Sequence, residues 1–77
     1  MMLFGIFRDG KCIDQIRHST YRNAWSYSYD RLRQLLGLTE DEFNSKLVIF
    51  QGRHDRVLAR IQVSDSVFEI KVIKVLR

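Results

Sequence analysis

Large apolar residues recur at helical spacing between Thr20 and Leu36, where Tyr21, Trp25, Tyr29, Leu32 and Leu36 fall on one side of a 3.6-residue winding. Ser19 or Thr20 supplies an N-cap, and Gly37 suits the left-handed conformation that ends a helix. Directly after it, Leu38 to Phe43 carries a complete second start signal. Thr39 is the N-cap, Glu42 three residues on closes a capping box, and Leu38 against Phe43 forms a hydrophobic staple. Glu40, Asp41 and Glu42 also suit the positive end of that short helix, which accounts for the chain's only acidic cluster without a metal or a reaction.

On either side of the helices the period changes to two. Leu3 to Arg8 and Lys11 to Ile16 are separated by Asp9-Gly10, the favoured pair for a type I′ hairpin turn. A regular two-residue hairpin pairs Arg8 with Lys11, Phe7 with Cys12, Ile6 with Ile13 and Phe4 with Gln15. It places Leu3, Phe7, Cys12 and Ile16 on the core side, and leaves Phe4, Ile6 and Ile13 on a second face beside Arg8, Lys11, Gln15 and Arg17. That second face is too apolar for plain solvent exposure, so either long side chains cover it or another chain does.

From Lys46 onward three further strands are predicted: Leu47 to Gln51, Arg56 to Val63 and Val67 to Leu76, with turns at Gly52 to Asp55 and Ser64 to Ser66. In the middle strand Val57, Ala59, Ile61 and Val63 alternate with Arg56, Leu58, Arg60 and Gln62. In the last, Phe68, Ile70 and Val72 alternate with Glu69, Lys71 and Ile73. The fold class is therefore α+β: one domain over residues 1–77, in the order β-β-α-α-β-β-β, with an antiparallel sheet of about five strands and both helices on one face. Tyr21, Trp25, Tyr29, Leu32, Leu36 and Phe43 are expected to meet Val57, Ile61, Ile70 and Val72 in one core.

A chain of 77 residues buries a smaller share of its surface than a large domain does, so its stability margin is thin. No apolar run approaches the ~20 residues of a membrane-spanning helix. Met1 to Arg8 lacks the basic segment and the cleavage site of a secretory signal, so the start is expected to be that of the mature protein. The single Cys12 has no disulfide partner within the chain, which suits the reducing cytoplasm and the role of a small buried hydrophobe. The net charge of +4 is unevenly placed: residues 1–45 carry six basic and six acidic side chains, and residues 46–77 seven basic and three acidic. An anionic partner meets the C-terminal part first.

Candidate chemistry is sparse. His18, His54 and Cys12 lie apart, too few for a metal site, and the four glycines are too scattered for a phosphate-binding loop, so no metal or cofactor is expected. Gly52 to Asp55 places His54 between Arg53 and Asp55, but Gly and Asp are there for turn formation first. No catalytic constellation is present, and the chain does not read as an enzyme.

The hairpin from Phe4 to Lys11, the helix carrying Ala24 and Trp25, and the cap from Leu38 to Phe43 resemble, over about the first 45 residues, the plan of many small proteins encoded by phages and prophages. The shared motifs are structural, so no functional residue is carried over. The resemblance implies a host-directed accessory protein, such as an inhibitor that binds the surface of a larger host protein or complex.

Surface composition agrees with protein binding, because exposed aromatic and aliphatic groups with abundant Arg mark interfaces. The candidate contact residues are Phe4, Ile6, Ile13, Tyr27, Arg31, Arg53, Arg56, Leu58, Arg60, Lys71 and Ile73. The expected function is a non-catalytic protein-binding module, an inhibitor or modulator of a larger cytosolic partner, with homodimerisation open to so small a chain. The alternative is a small basic nucleic-acid-binding regulator using Arg53, Arg56, Arg60, Lys71 and Lys74, with Tyr27 as a stacking platform near Arg31.

Overall fold

The structure, a computed structural model, describes residues 1–50 and 56–75. The expected element order is present: β1 (Met2–Arg8), β2 (Lys11–His18), α1 (Tyr21–Leu36), α2 (Glu40–Lys46), β3 (Val48–Ile49), β4 (Val57–Val63) and β5 (Ser66–Val75). The five strands form one antiparallel sheet in the spatial order β2-β1-β5-β4-β3, so the first strand pairs with the last at its centre. β3 is shorter than the expected Leu47 to Gln51. Leu47 is the C-cap of α2, only Val48 and Ile49 pair with β4, and Gln51 lies outside the described residues, as do the turn from Gly52 to Asp55 and Leu76.

Local signals are met closely. Asp9 and Gly10 have φ of 49° and 86°, the two positive values that a type I′ turn requires. The Thr20 hydroxyl accepts the Asn23 N–H at the start of α1, and Gly37 at φ 66° ends it, with its N–H and that of Leu38 returning to the last carbonyls. At α2 the Thr39 hydroxyl accepts the Glu42 N–H, and the Glu42 carboxylate accepts the Thr39 N–H, a reciprocal capping box.

Ile16 is in the core and Gln15 and Arg17 face outward as expected, but the faces of β1, and that of Cys12, are the reverse of those expected. Pairing starts as predicted with Arg8–Lys11 and Phe7–Cys12, but a bulge at Ile13 then makes Ile6 face Asp14, Phe4 face Ile16 and Leu3 face Arg17. Phe4 and Ile6 are therefore fully buried under α1 and do not offer partner contacts, whereas Leu3 and Phe7 lie on the opposite side and Cys12 is exposed. One inserted residue exchanges faces because side chains alternate with a period of two. A second bulge in β4 between Val57 and Ala59 turns Leu58 against the core and leaves Val57 opposite Lys71 on the far face, so Leu58 is not outward as expected.

The core unites Phe4, Ile6 and Ile16 with Leu32, Phe43, Ala59, Ile61, Phe68 and Ile70. The most buried positions of α1 are Ala24, Ser28 and Leu32, one line at four-residue spacing. Trp25, Tyr29 and Leu36 pack beside that line, and Tyr21 is half exposed with its ring edge-on to Phe4 at 5.4 Å. The stripe is rotated from the expected one because small Ala24 and Ser28 let the helix backbone approach the sheet. The Tyr29 ring meets Phe43 at 4.8 Å, and its hydroxyl donates to Asn44 Oδ1, joining α1 to α2. No helix among the described residues is long and apolar enough to cross a membrane.

Candidate interaction face

Both helices cover the same side of the sheet, and among the described residues no second layer lies over the other side. Register fixes what that open face presents, since directly paired residues project to the same side. Four cross-strand rows follow from β2 toward β3. Arg17, Leu3 and Lys74 form the first; Gln15, Gly5, Lys71 and Val57 the second; Cys12, Phe7, Glu69, Arg60 and Val48 the third; Val67 and Gln62 the fourth. Ile73, the extra residue of a bulge in β5, leans over Gly5 beside Phe7. Leu3, Phe7, Val57, Val67 and Ile73 are all part-buried, giving a broken aliphatic stripe with polar and basic neighbours.

Electrostatics are organised around Glu69, which is only 9% exposed. Its Oε2 accepts Arg60 Nε at 3.0 Å and Nη2 at 2.8 Å, and Lys71 Nζ approaches Oε1 at 3.6 Å. Each carboxylate oxygen thus has its own cation, as a largely desolvated acid requires. Lys71 also lies 4.7 Å from the centre of the Phe7 ring, and Arg60 5.3 Å from that of Phe50. The two cations are committed to the face itself. By contrast, Arg17 and Lys74 are exposed and have no acidic partner among the described residues.

At the end of the face near the first turn, a depression of about 480 Å³ is lined by Asp9, Gly10, Arg60, Gln62, Val67 and Glu69. Both carboxylates there hold the fold together: Asp9 Oδ1 accepts the Val67 N–H at 2.8 Å, and Glu69 is held by Arg60. Among the described residues no group of three or more His, Cys, Asp or Glu side chains is placed to hold a metal ion.

The expected contact residues are dispersed. Arg60, Lys71 and Ile73 share the open face. Ile13 is exposed at the β2 bulge, and the exposed Arg56 donates through Nη1 to the Ile73 carbonyl. On the helix side, Arg31 pairs with Asp14 at 3.3 Å, and the exposed Tyr27 ring stacks on His18 at 5.0 Å, so one side of the proposed stacking platform is already taken. Phe4 and Ile6 belong to the core, Leu58 packs part-buried against it, and Arg53 lies outside the described residues. Sequence reasoning missed Leu3, Phe7, Val57 and Val67 as members of a surface, while Lys74, named there only for nucleic-acid contact, lies on this face. The available signal was the three-residue spacing of Ile13 and Ile16, which no regular strand places on one face.

A second apolar surface lies at the sheet edge, where Val48, Ile49 and Phe50 are exposed in succession and a groove of about 200 Å³ runs between Tyr21, Trp25, Ile49, Phe50 and Leu58. No protein-family model, curated protein or solved structure matches the chain.

Proposed function

We propose that the protein is a non-catalytic binding module that docks onto another protein through the open face of its sheet. The observation that carries this reading is the face itself: an aliphatic stripe of Leu3, Val57, Val67 and Ile73 around Phe7, bordered by Gln15, Arg17, Gln62 and Lys74, with no layer over it among the described residues. An apolar centre with a polar rim is the anatomy of protein interfaces. The carboxylates nearest the depression are engaged in holding the fold, which favours binding over catalysis. A small module of this kind acts as an inhibitor or modulator of a larger partner, in the cytoplasm and in the manner of phage accessory proteins.

Nucleic acid is disfavoured on the same face. Phe7 is overlaid by Lys71 and wedged by Ile73, so its ring offers little area to a base, and Arg60 and Lys71 are already neutralising Glu69.

The test is affinity capture from a cytosolic lysate, with and without nuclease, comparing the wild type, a Val57→Glu/Val67→Glu variant and a Leu35→Glu variant on the exposed helix surface. Circular dichroism verifies that each is folded. A protein retained by the wild type and by Leu35→Glu, unaffected by nuclease and lost from the double variant, is the expected outcome. Retention that the double variant preserves, or that nuclease abolishes, overturns the reading.

A further inference from the structure

Arg17 and Lys74 pair directly with Leu3 from its two sides, so two cations without an acidic partner among the described residues flank one aliphatic side chain in a single row. Their strands are two inter-strand spacings apart, ~10 Å. The remaining charges of the face cancel in part, because Glu69 is shared between Arg60 and Lys71. The face therefore has a directional charge: its net positive end is the row at Leu3, beside the apolar part made by Ile73, Phe7 and Val57.

We infer that the occupant of the open face is an acidic amphipathic helix of the partner protein, whose carboxylates engage Arg17 and Lys74 while its apolar stripe covers Leu3 and Ile73. This rests on the proposed protein-binding function and names the chemistry that the face selects. Geometry and charge both lead to it. Carboxylates seven residues apart on a helix are ~10.5 Å apart on the same side, and the positions three and four residues from the first project between them. That is the cation–aliphatic–cation spacing of the row. The polyanionic backbone of a nucleic acid matches the sign of the charge but brings no apolar side chain to Leu3 and Ile73. Charge complementarity at such a rim sets the encounter rate and selects against wrong partners.

The probe is a fluorescein-labelled helical peptide of fourteen residues with Glu at two positions seven apart and Leu at the positions between them. It is compared with the same peptide carrying Lys for Glu, and with a single-stranded thymidine 12-mer, by fluorescence anisotropy on the full chain. The acidic peptide binds the wild type, and the Arg17→Glu/Lys74→Glu variant loses that affinity by about tenfold or more while gaining affinity for the Lys peptide. Both side chains are exposed and have no acidic partner among the described residues, so the variant is expected to fold, which circular dichroism checks. Equal binding of the two peptides, no loss on charge reversal, no binding of the acidic peptide, or tighter binding of the oligonucleotide overturns the inference. If lysate capture still yields a protein that the Val57→Glu/Val67→Glu variant loses and the charge reversal does not, the protein-binding reading stands and only the acidic helix is excluded.

Discussion

Phe7 and Ile73 close over Gly5 from adjacent strands, their nearest atoms reaching 2.7 and 2.6 Å from the point that a side-chain carbon at Gly5 would occupy. The glycine is required by this close approach and not by its backbone angles, and it allows two apolar groups to shelter each other on a face that no helix covers. Gly5→Ala must push the Phe7 ring or the Ile73 terminus outward. The expected cost is about 1–3 kcal/mol, read as a lower urea midpoint. A variant as stable as the wild type would show that the ring moves freely and that the stripe is not preorganised.

The rotated stripe of α1 separates three substitutions that look similar in the sequence. Leu32 is fully buried, so Leu32→Ala is expected to cost about 2–5 kcal/mol, a large part of the margin of so small a domain. Trp25→Ala costs less than a fully buried aromatic would, because the indole only flanks the core. Ser28→Ala is expected within about 0.5 kcal/mol of the wild type: the hydroxyl donates to the Ala24 carbonyl of its own helix at 2.7 Å, and its loss strands no other donor. Denaturant unfolding of the three variants gives the order, and a Trp25→Ala more damaging than Leu32→Ala would place the helix in the other rotation.

The capping box makes a prediction in pH. The Glu42 carboxylate accepts hydrogen bonds from the Thr39 N–H and hydroxyl, and these hold it below the usual carboxylate range, with Lys46 adding a smaller effect in the same direction. A depressed folded value means that the charged carboxylate supports α2 above its unfolded pKa, and that this support is lost as the pH falls through the folded one. Titration of the Glu42 side-chain carbons by NMR should give a midpoint below that of an unstructured Glu, and Thr39→Ala should move it upward. An unchanged midpoint in Thr39→Ala would assign the depression to the backbone N–H alone.

Ser64 holds φ at 55° in the two-residue turn between β4 and β5, a left-handed conformation that costs an L-residue about 1–2 kcal/mol. Glycine escapes this cost but loses more freedom on folding. Ser64→Gly is therefore expected to stabilise by a few tenths to about 1 kcal/mol, seen as a raised urea midpoint. A lowered midpoint would mean that the serine side chain contributes more to the turn than its backbone costs.

Elements whose signals are local were legible in the sequence. Asp9-Gly10, Thr20, Gly37 and the Thr39–Glu42 box each specify their conformation within a few residues, and each adopts it. Faces were legible only where strands are regular: Phe68, Ile70 and Val72 point inward as the alternation of β5 requires. Where a bulge intervenes the alternation inverts, and the choice is made by distant partners. Phe4 and Ile6 are drawn inward by Leu32 and Ile70, and Asp14 is tolerated on the helix side because Arg31 meets it. The open face was hidden for the same reason, since its membership depends on three bulges that turn chemistry does not announce.

The central pairing of β1 with β5 bears on how the chain is made. The turn that starts β2 is tied to β5 by a reciprocal pair, Asp9 N–H to the Val67 carbonyl and Val67 N–H to Asp9 Oδ1, across 58 residues of sequence. At about 5–20 residues per second, that strand follows β1 out of the ribosome by several seconds. Throughout that interval Phe4 and Ile6 have no β5 to lie beside, so the burial of these two side chains is completed only when the last strand arrives.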